Sequence, residues 1–285
     1  MICFPNAKIN LGLRVLRKRP DGYHDIETVF LPIPLNDVLE LVATSEFSQG
    51  VPISLPGGHK LFYTSSGNDF ISDPSKDLSV KACVAYDNSF GIGSDIALHI
   101  HKNIPSGAGL GGGSSDAAHA LISLNAIHGN KVSQSDLLHL ASTIGSDCPF
   151  FIINKPCHAT GRGEQLAPIS LDLTGYHLLL VKPAIGVSTA EAYGVVKPID
   201  DPGFADLMDV VKLPVGSWPA ILKNDFETGV FQNHPELAFI KSSLYEMGAE
   251  YASMSGSGST MYGLFSKKPE LDSMFDNCLT FLCEL

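Results

Sequence analysis

No run of the roughly 18 to 20 apolar residues that a helical membrane span requires occurs in the 285 residues of the chain. The opening MICFPNAKIN likewise carries no basic leader followed by an apolar stretch. These absences exclude a helical membrane protein and lead to the expectation of a cytoplasmic one. Basic residues are scarce, with 19 Lys and Arg against 30 Asp and Glu, a formal net charge of −11. There is also no basic stripe with interleaved aromatics, so a nucleic-acid surface is excluded; an anionic small molecule would have to be met by local donors. The six cysteines, Cys3, Cys83, Cys148, Cys157, Cys278 and Cys283, form no CxxC pair and have no histidine at zinc-finger spacing. Buried thiols are therefore expected, not a disulfide or a metal site. Tandem repeats of the solenoid type are absent as well.

What is present is a composition of 44% hydrophobic and 17% charged residues, which belongs to a folded chain, and at this length to one large or two moderate domains. From Cys3 to Val15 the odd positions Cys3, Ala7, Ile9, Leu11, Leu13 and Val15 are apolar, while Lys8, Asn10, Gly12 and Arg14 alternate with them. That pattern predicts a strand with Lys8 and Asn10 on one face. RKRPDGY then places Pro, Asp and Gly at turn positions and IETVFLPI resumes an extended segment, so a hairpin is predicted. DVLELVAT and DIALHIH read as strands, and residues 51–68 as looped or short-stranded surface. Helical spacing runs over 76–90, stopped by Gly91, and over SQSDLLHLASTIG, with Ser133 as N-cap and Gly145 just past its end. SDCPFFII reads as a short apolar strand with Asp147 at its entry. A shift toward Lys, Pro, Gly and Arg over residues 154–170 places a boundary there, giving domains of 1–156 and 157–285. The second half reads as a strand YHLLLV, a Pro-, Asp- and Gly-rich middle, a helix from Pro235 to Met247 and two strands around MSGSGST.

The densest feature is PSGAGLGGGSSD, residues 105–116, with five glycines and three serines in twelve positions and no lysine. It follows the strand DIALHIH and precedes AAHALISLNAIHG, whose apolar residues at 117, 118, 121, 124 and 127 have helical spacing. A glycine-rich turn at a helix N-terminus exposes N–H groups where the helix dipole is positive, which makes an anion site that suits a phosphate. Gly113 is followed by Ser114 and Ser115, so the stretch is not a GxxxxGK[ST] loop. Gly107, Gly109 and Gly112 satisfy GxGxxG, but no acidic residue ends a second strand at the spacing a dinucleotide fold requires. On these residues alone, a phosphate cradle and a plain surface loop both stay open.

PSGAGLGGGSSDAA resembles the phosphate motif of the GHMP kinases, the superfamily of galactokinase, homoserine kinase, mevalonate kinase and phosphomevalonate kinase. The opening AKINLGLRVLRKRPDGYHDIETVF is similar to the branch that recognises a cytidine nucleotide and phosphorylates an isoprenoid precursor in the non-mevalonate pathway. MSGSGST resembles the superfamily's third motif, and GGG before SSD separates the chain from relatives with a GLGSS-type motif. The resemblance implies an α+β, two-lobed GHMP-kinase-like fold with ATP and substrate in the cleft between lobes, the ATP site in the N-terminal domain. It implies ATP-dependent phosphorylation of the 2-hydroxyl of a cytidine diphosphate-linked methylerythritol, with Mg2+ as cofactor and no nucleic acid, membrane or obligate protein partner.

Residue roles follow from the same resemblance. Asp147, in a GxDxPFF-like segment, is implied as the base, and Lys8 as its partner orienting the substrate hydroxyl. The cradle would comprise Pro105, Ser106, Gly107, Ala108, Gly109, Leu110, Gly111, Gly112, Gly113, Ser114 and Ser115, with Ser114 or Ser115 reaching the magnesium ion. Asp116 is expected to cap the following helix. Tyr23 is implied to stack on the cytosine and His24 to hydrogen-bond to it, with Tyr193 as the second ring, Thr189 near it and Asn10 beside Lys8. Gly256, Ser257 and Gly258 would close on the substrate's diphosphate. His99, His101 and His128 are read as structural. The nearest rivals are another small-molecule kinase of the superfamily, such as a homoserine or phosphomevalonate kinase, and a non-catalytic nucleotide-binding protein on the same scaffold.

Overall fold

The structure is a computed structural model and describes residues 1–44, 49–68, 73–198, 206–271 and 273–285. Part of the Pro-, Asp- and Gly-rich middle of the second half lies outside the described residues. In chain order the strands are β1 (Ile2–Cys3), β2 (Asn6–Lys18), β3 (His24–Asn36), β4 (Val38–Ala43), β5 (Val51–Ser54), β6 (Lys60–Gly67), β7 (Ile96–Lys102), β8 (Cys157–Thr160), β9 (Gln165–Pro168), β10 (His177–Lys182), β11 (Tyr251–Met254), β12 (Met261–Phe265) and β13 (Leu279–Glu284). The helices are α1 (Leu78–Phe90), α2 (Gly112–Ile127), α3 (Gln134–Ile144), α4 (Cys148–Ile153), α5 (Thr189–Val195), α6 (Leu207–Val210), α7 (Trp218–Ile221), α8 (Phe226–Asn233) and α9 (Pro235–Glu246).

The predicted hairpin is β2–β3. Its turn is closed by Arg19 N–H donating to the Tyr23 carbonyl at 2.8 Å, and Gly22 takes the left-handed backbone (φ +86°) that an Asp-Gly turn supplies without strain. Ala7, Ile9, Leu11, Leu13 and Val15 are all buried, as the alternation requires, but Lys8 and Asn10 on the other face are buried too. Ser133 caps α3 by accepting from the Asp136 N–H, and Gly145 ends it. SDCPFFII does not form a strand: Cys148–Ile153 is the helix α4, ended by Asn154 in the left-handed region (φ 49°). A short run that is apolar throughout has no period to separate strand from helix. Pro149, in the first turn where its missing N–H costs nothing, is the local signal that favours the helix.

The chain forms two compact units. One comprises residues 1–7, 34–106 and 111–154, and the other 8–33, 107–110 and 155–285. The chain crosses from one unit to the other at 154/155, and 8–33 and 107–110 group with the C-terminal residues. The reason is strand pairing: β3 pairs antiparallel with β8 through Thr28 and Ala159, which places the N-terminal hairpin in the sheet β2-β3-β8-β9. The first unit holds the sheet β1-β4-β7-β6-β5, with β6 and β7 parallel. Leu39, Leu41, Leu61, Leu98 and Ile100 of that sheet share a core with Ala117, Leu121 and Leu124 of α2 and Leu137 and Leu140 of α3. The second unit adds the sheet β11-β12-β10-β13, and Leu179 and Val181 pack there with Phe226, Val230, Leu237 and Leu244 of α8 and α9. Burial of such side chains at about 25 cal/mol per Å2 of apolar surface is the main favourable term for each core. Cys83, Cys148 and Cys157 are buried and Cys3, Cys278 and Cys283 partly so, all six as free thiols.

Candidate active site

In the first unit, β7 ends at Lys102 and α2 begins at Gly112, so the glycine-rich stretch does lie between a strand and a helix. Gly107, Gly109 and Gly111 all have positive φ, between 61° and 75°, a conformation that side chains with a Cβ rarely adopt. Gly111 occupies the N-cap position of α2, and among the described residues no side chain caps the helix. Its first-turn amides thus have no side-chain cap, the kind of helix start that suits an anion. Ser114 is half-buried, whereas Ser115 is fully buried with its Oγ 3.4 Å from His119 Nδ1, which also lies 2.9 Å from the Ser115 carbonyl.

Asp116 does not cap α2. It stands a full turn past the N-cap, too deep to reach the first amides, and is buried against Lys102, whose Nζ donates to Asp116 Oδ2 at 2.5 Å and also to Asp37. Burial pushes the Asp116 carboxyl up to about 8, against the pull of the Lys102 ammonium. Its second oxygen has no hydrogen-bond partner among the described residues.

Asp147 is half-buried at the head of α4, and its carboxylate does not cap that helix. In the second unit Lys8, only 4% exposed, has its ammonium in a polar relay. Lys8 Nζ donates to Asn10 Oδ1 at 2.6 Å, Asn10 Nδ2 donates to Thr28 Oγ1 at 3.0 Å, and Thr28 donates to the Gly12 carbonyl at 2.5 Å. The Phe30 ring lies under the ammonium at 4.7 Å. A buried cation is costly unless partnered; here each link fixes the orientation of the one before it, so Asn10 holds Lys8 in place. Thr28→Val keeps the volume and removes the link, leaving Asn10 Nδ2 without its acceptor: a loss of about 1 kcal/mol of stability, the worth of about one hydrogen bond, is expected as a lower denaturation midpoint.

The MSGSGST turn lies in the same unit, which also holds residues 107–110 of the glycine stretch. Ser255 Oγ donates to the Gly109 carbonyl at 2.8 Å, and Thr260 N–H donates to the Ala108 carbonyl at 3.3 Å. A Cβ on Gly256 would come within 3.3 Å of Asn10 Oδ1. Asn224 anchors the turn, its Nδ2 donating to the carbonyls of Met254 and Gly256, both at 2.8 Å. Ser257 Oγ is 3.4 Å from Thr189 Oγ1, which links the turn to the first residue of α5.

Each of the two rings implied for the base has a neighbour of its own. Tyr193, on α5, stacks on His24 with ring centroids 4.7 Å apart and an interplanar angle of 21°. Tyr23 is 54% exposed, with the Arg162 guanidinium 4.8 Å from its ring centroid. Burial, and secondarily Lys18, push the His24 imidazole below its ordinary value, which favours the neutral form. Thr28, Phe30, Asn224 and Arg162 are site neighbours that sequence reasoning missed. Of these, Thr28 was signalled by polarity in an otherwise apolar stretch of β3, whereas Asn224 and Arg162 act through long-range contacts with no local pattern.

The chain is similar to known proteins over nearly its whole length. Residues 77–155 match the GHMP kinases N terminal domain and residues 215–280 the GHMP kinases C terminal family. The 4-diphosphocytidyl-2-C-methyl-D-erythritol kinase of Parabacteroides distasonis is 47% identical over 283 residues, covering 98% of this chain and 97% of that protein. That of Bacteroides thetaiotaomicron is 46% identical over 275 residues, covering 95% of this chain and 96% of that protein. A crystal structure of 4-(cytidine 5'-diphospho)-2C-methyl-D-erythritol kinase superposes with a TM-score of 0.72 at 30% identity, covering 93% of this chain and 90% of that one. The fold extends to the mevalonate kinase of Methanococcus jannaschii, with a TM-score of 0.67 at 12% identity. With near-half identity maintained from end to end, the chain belongs to the 4-diphosphocytidyl-2-C-methyl-D-erythritol kinase family of the GHMP kinases.

Proposed function

We propose that this protein transfers the γ-phosphoryl group of ATP to the 2-hydroxyl of 4-diphosphocytidyl-2-C-methyl-D-erythritol. The observation that carries the reading is the 47% identity to a kinase of that name over 98% of the chain. The site residues support it. Asp147 takes the proton of the attacking hydroxyl, and the ammonium of Lys8, held by Asn10 and Thr28, supplies positive charge at the nucleophile. The uncapped start of α2 receives the ATP phosphates on backbone amides. His24, Tyr23 and Tyr193 recognise the cytosine, with His24 leaving the Tyr193 face as the base enters. Thr189 and the turn at Gly256, Ser257 and Gly258 take the diphosphate.

The residues present fit magnesium only as a phosphate-bound ion, because among the described residues no group of three or more His, Cys, Asp or Glu side chains is placed to hold a metal. Ser114 is the hydroxyl suited to it, since Ser115 is buried and turned to His119. Bound there, the ion would supply charge neutralisation on the phosphates.

A coupled assay of ADP release tests the reading, run with this acceptor and, in parallel, with homoserine and phosphomevalonate. Turnover with the cytidylyl acceptor alone, inhibited competitively by CDP, is expected. Turnover with another acceptor and no inhibition by CDP or CMP would sink it.

A further inference from the structure

The loop between β7 and α2 buries Ile104, Ala108 and Leu110, and its middle is held by hydrogen bonds from Ser255 and Thr260. Gly107 has open space where a Cβ would stand, and the alternate glycines 107, 109 and 111 give the backbone unusual freedom. The Ser255 and Thr260 contacts hold the middle of the loop; one buried cluster of the first unit reaches both of its ends. On the entry side, Asp37 Oδ1 accepts from the backbone N–H groups of Asn103 at 2.6 Å and Ile104 at 2.8 Å. Its other oxygen accepts from Lys102 Nζ. On the exit side the same ammonium donates to Asp116, one turn into α2. Gly112 passes over this cluster so closely that a Cβ there would lie 2.8 Å from Ile104 Cγ2 and 3.5 Å from Lys102 Nζ.

We propose that Lys102 is a positioning residue for the nucleotide: held by Asp37 at the loop's entry and Asp116 on α2, it ties the two ends of the glycine-rich loop together and fixes the spacing of the amides that receive the phosphates. The side chains of Lys102, Asp37 and Asp116 are at most 3% exposed, so the ammonium does not meet solvent and acts through the backbone it holds. Replacing buried ionic groups by apolar ones of similar size often leaves stability unchanged or improved. What the tie contributes is therefore geometry: removing it loosens the loop and weakens ATP without altering acceptor recognition.

The proposal rests on the loop being the ATP site, and its test is equilibrium binding, which needs no turnover. ATP and, separately, CDP are titrated calorimetrically into the full-length protein and two variants. Lys102→Met cuts the tie but leaves Asp37 and Asp116 facing each other. The double variant Lys102→Met/Asp116→Leu cuts it with no carboxylate left on α2. The expected result is an ATP Kd raised at least tenfold in each folded variant, a CDP Kd within twofold of the wild type, and faster amide hydrogen exchange over residues 103–113. The proposal is overturned by an unchanged ATP Kd in a folded variant, by ATP and CDP affinities falling together, or by both variants failing to fold, which would make the cluster purely structural. A wild type that binds ATP yet phosphorylates no cytidylyl acceptor refutes the function proposed above and leaves this comparison intact.

Discussion

Asp147→Asn is expected to lower kcat about 1,000-fold, within the range typical for removal of a positioned general base. The change is nearly isosteric at a half-buried helix start where the carboxylate does no capping, so the circular dichroism spectrum and the KM for ATP should stay close to the wild type. Lys8→Met should produce a loss of similar size, because methionine fills the buried space over the Phe30 ring and lacks the charge. If the two side chains serve one proton transfer, the double variant is no worse than either single one, since residues acting as a unit are strongly non-additive. Pre-steady-state measurement of the chemical step decides the matter. A kcat within tenfold of the wild type for Asp147→Asn would remove it from the base role, and multiplicative losses in the double variant would separate it from Lys8.

Gly109→Ala should be nearly as damaging for a different reason. A left-handed backbone at φ +75° costs an alanine about 1–2 kcal/mol, and its Cβ would stand 2.0 Å from the Ser255 carbonyl oxygen, a backbone atom that cannot swing away. To relieve the collision, the Ser255–Gly109 hydrogen bond and the MSGSGST turn have to move together. ATP-dependent turnover is expected to fall at least about 100-fold, the scale of a misplaced reactant, with a lower denaturation midpoint. Gly107→Ala is the internal control: its φ is also positive, at 61°, but a Cβ there meets nothing within 4 Å. Only the conformational cost applies, and equal losses in the two variants would show that crowding at Gly109 is irrelevant.

Much of this was legible in the sequence wherever the signal was local. Alternation in β2 placed Lys8 and Asn10 side by side, the Asp-Gly turn set the hairpin, and the order strand, glycines, helix located the loop before α2. Misreadings arose where the deciding contact was distant. Asp116 looks like a helix-start acid until Lys102 and Asp37, 14 and 79 positions earlier in the chain, are seen to surround it. Tyr193 stacks on His24, 169 positions away in the chain, a contact that no local pattern signals. CPFFII has no periodicity to read, and only Pro149 hinted at the helix.

The pairing of β3 with β8 also determines how this polypeptide can be divided. A fragment stopping at residue 156 would retain the hairpin yet expose the hydrogen-bonding rim of β3 that β8 normally covers, an open template for self-association. The complementary fragment would lack the strands carrying Leu13, Val15 and Ile26, which belong to its own apolar interior. The protein is therefore interleaved, not modular: its working parts cannot be cloned as a donor half and an acceptor half.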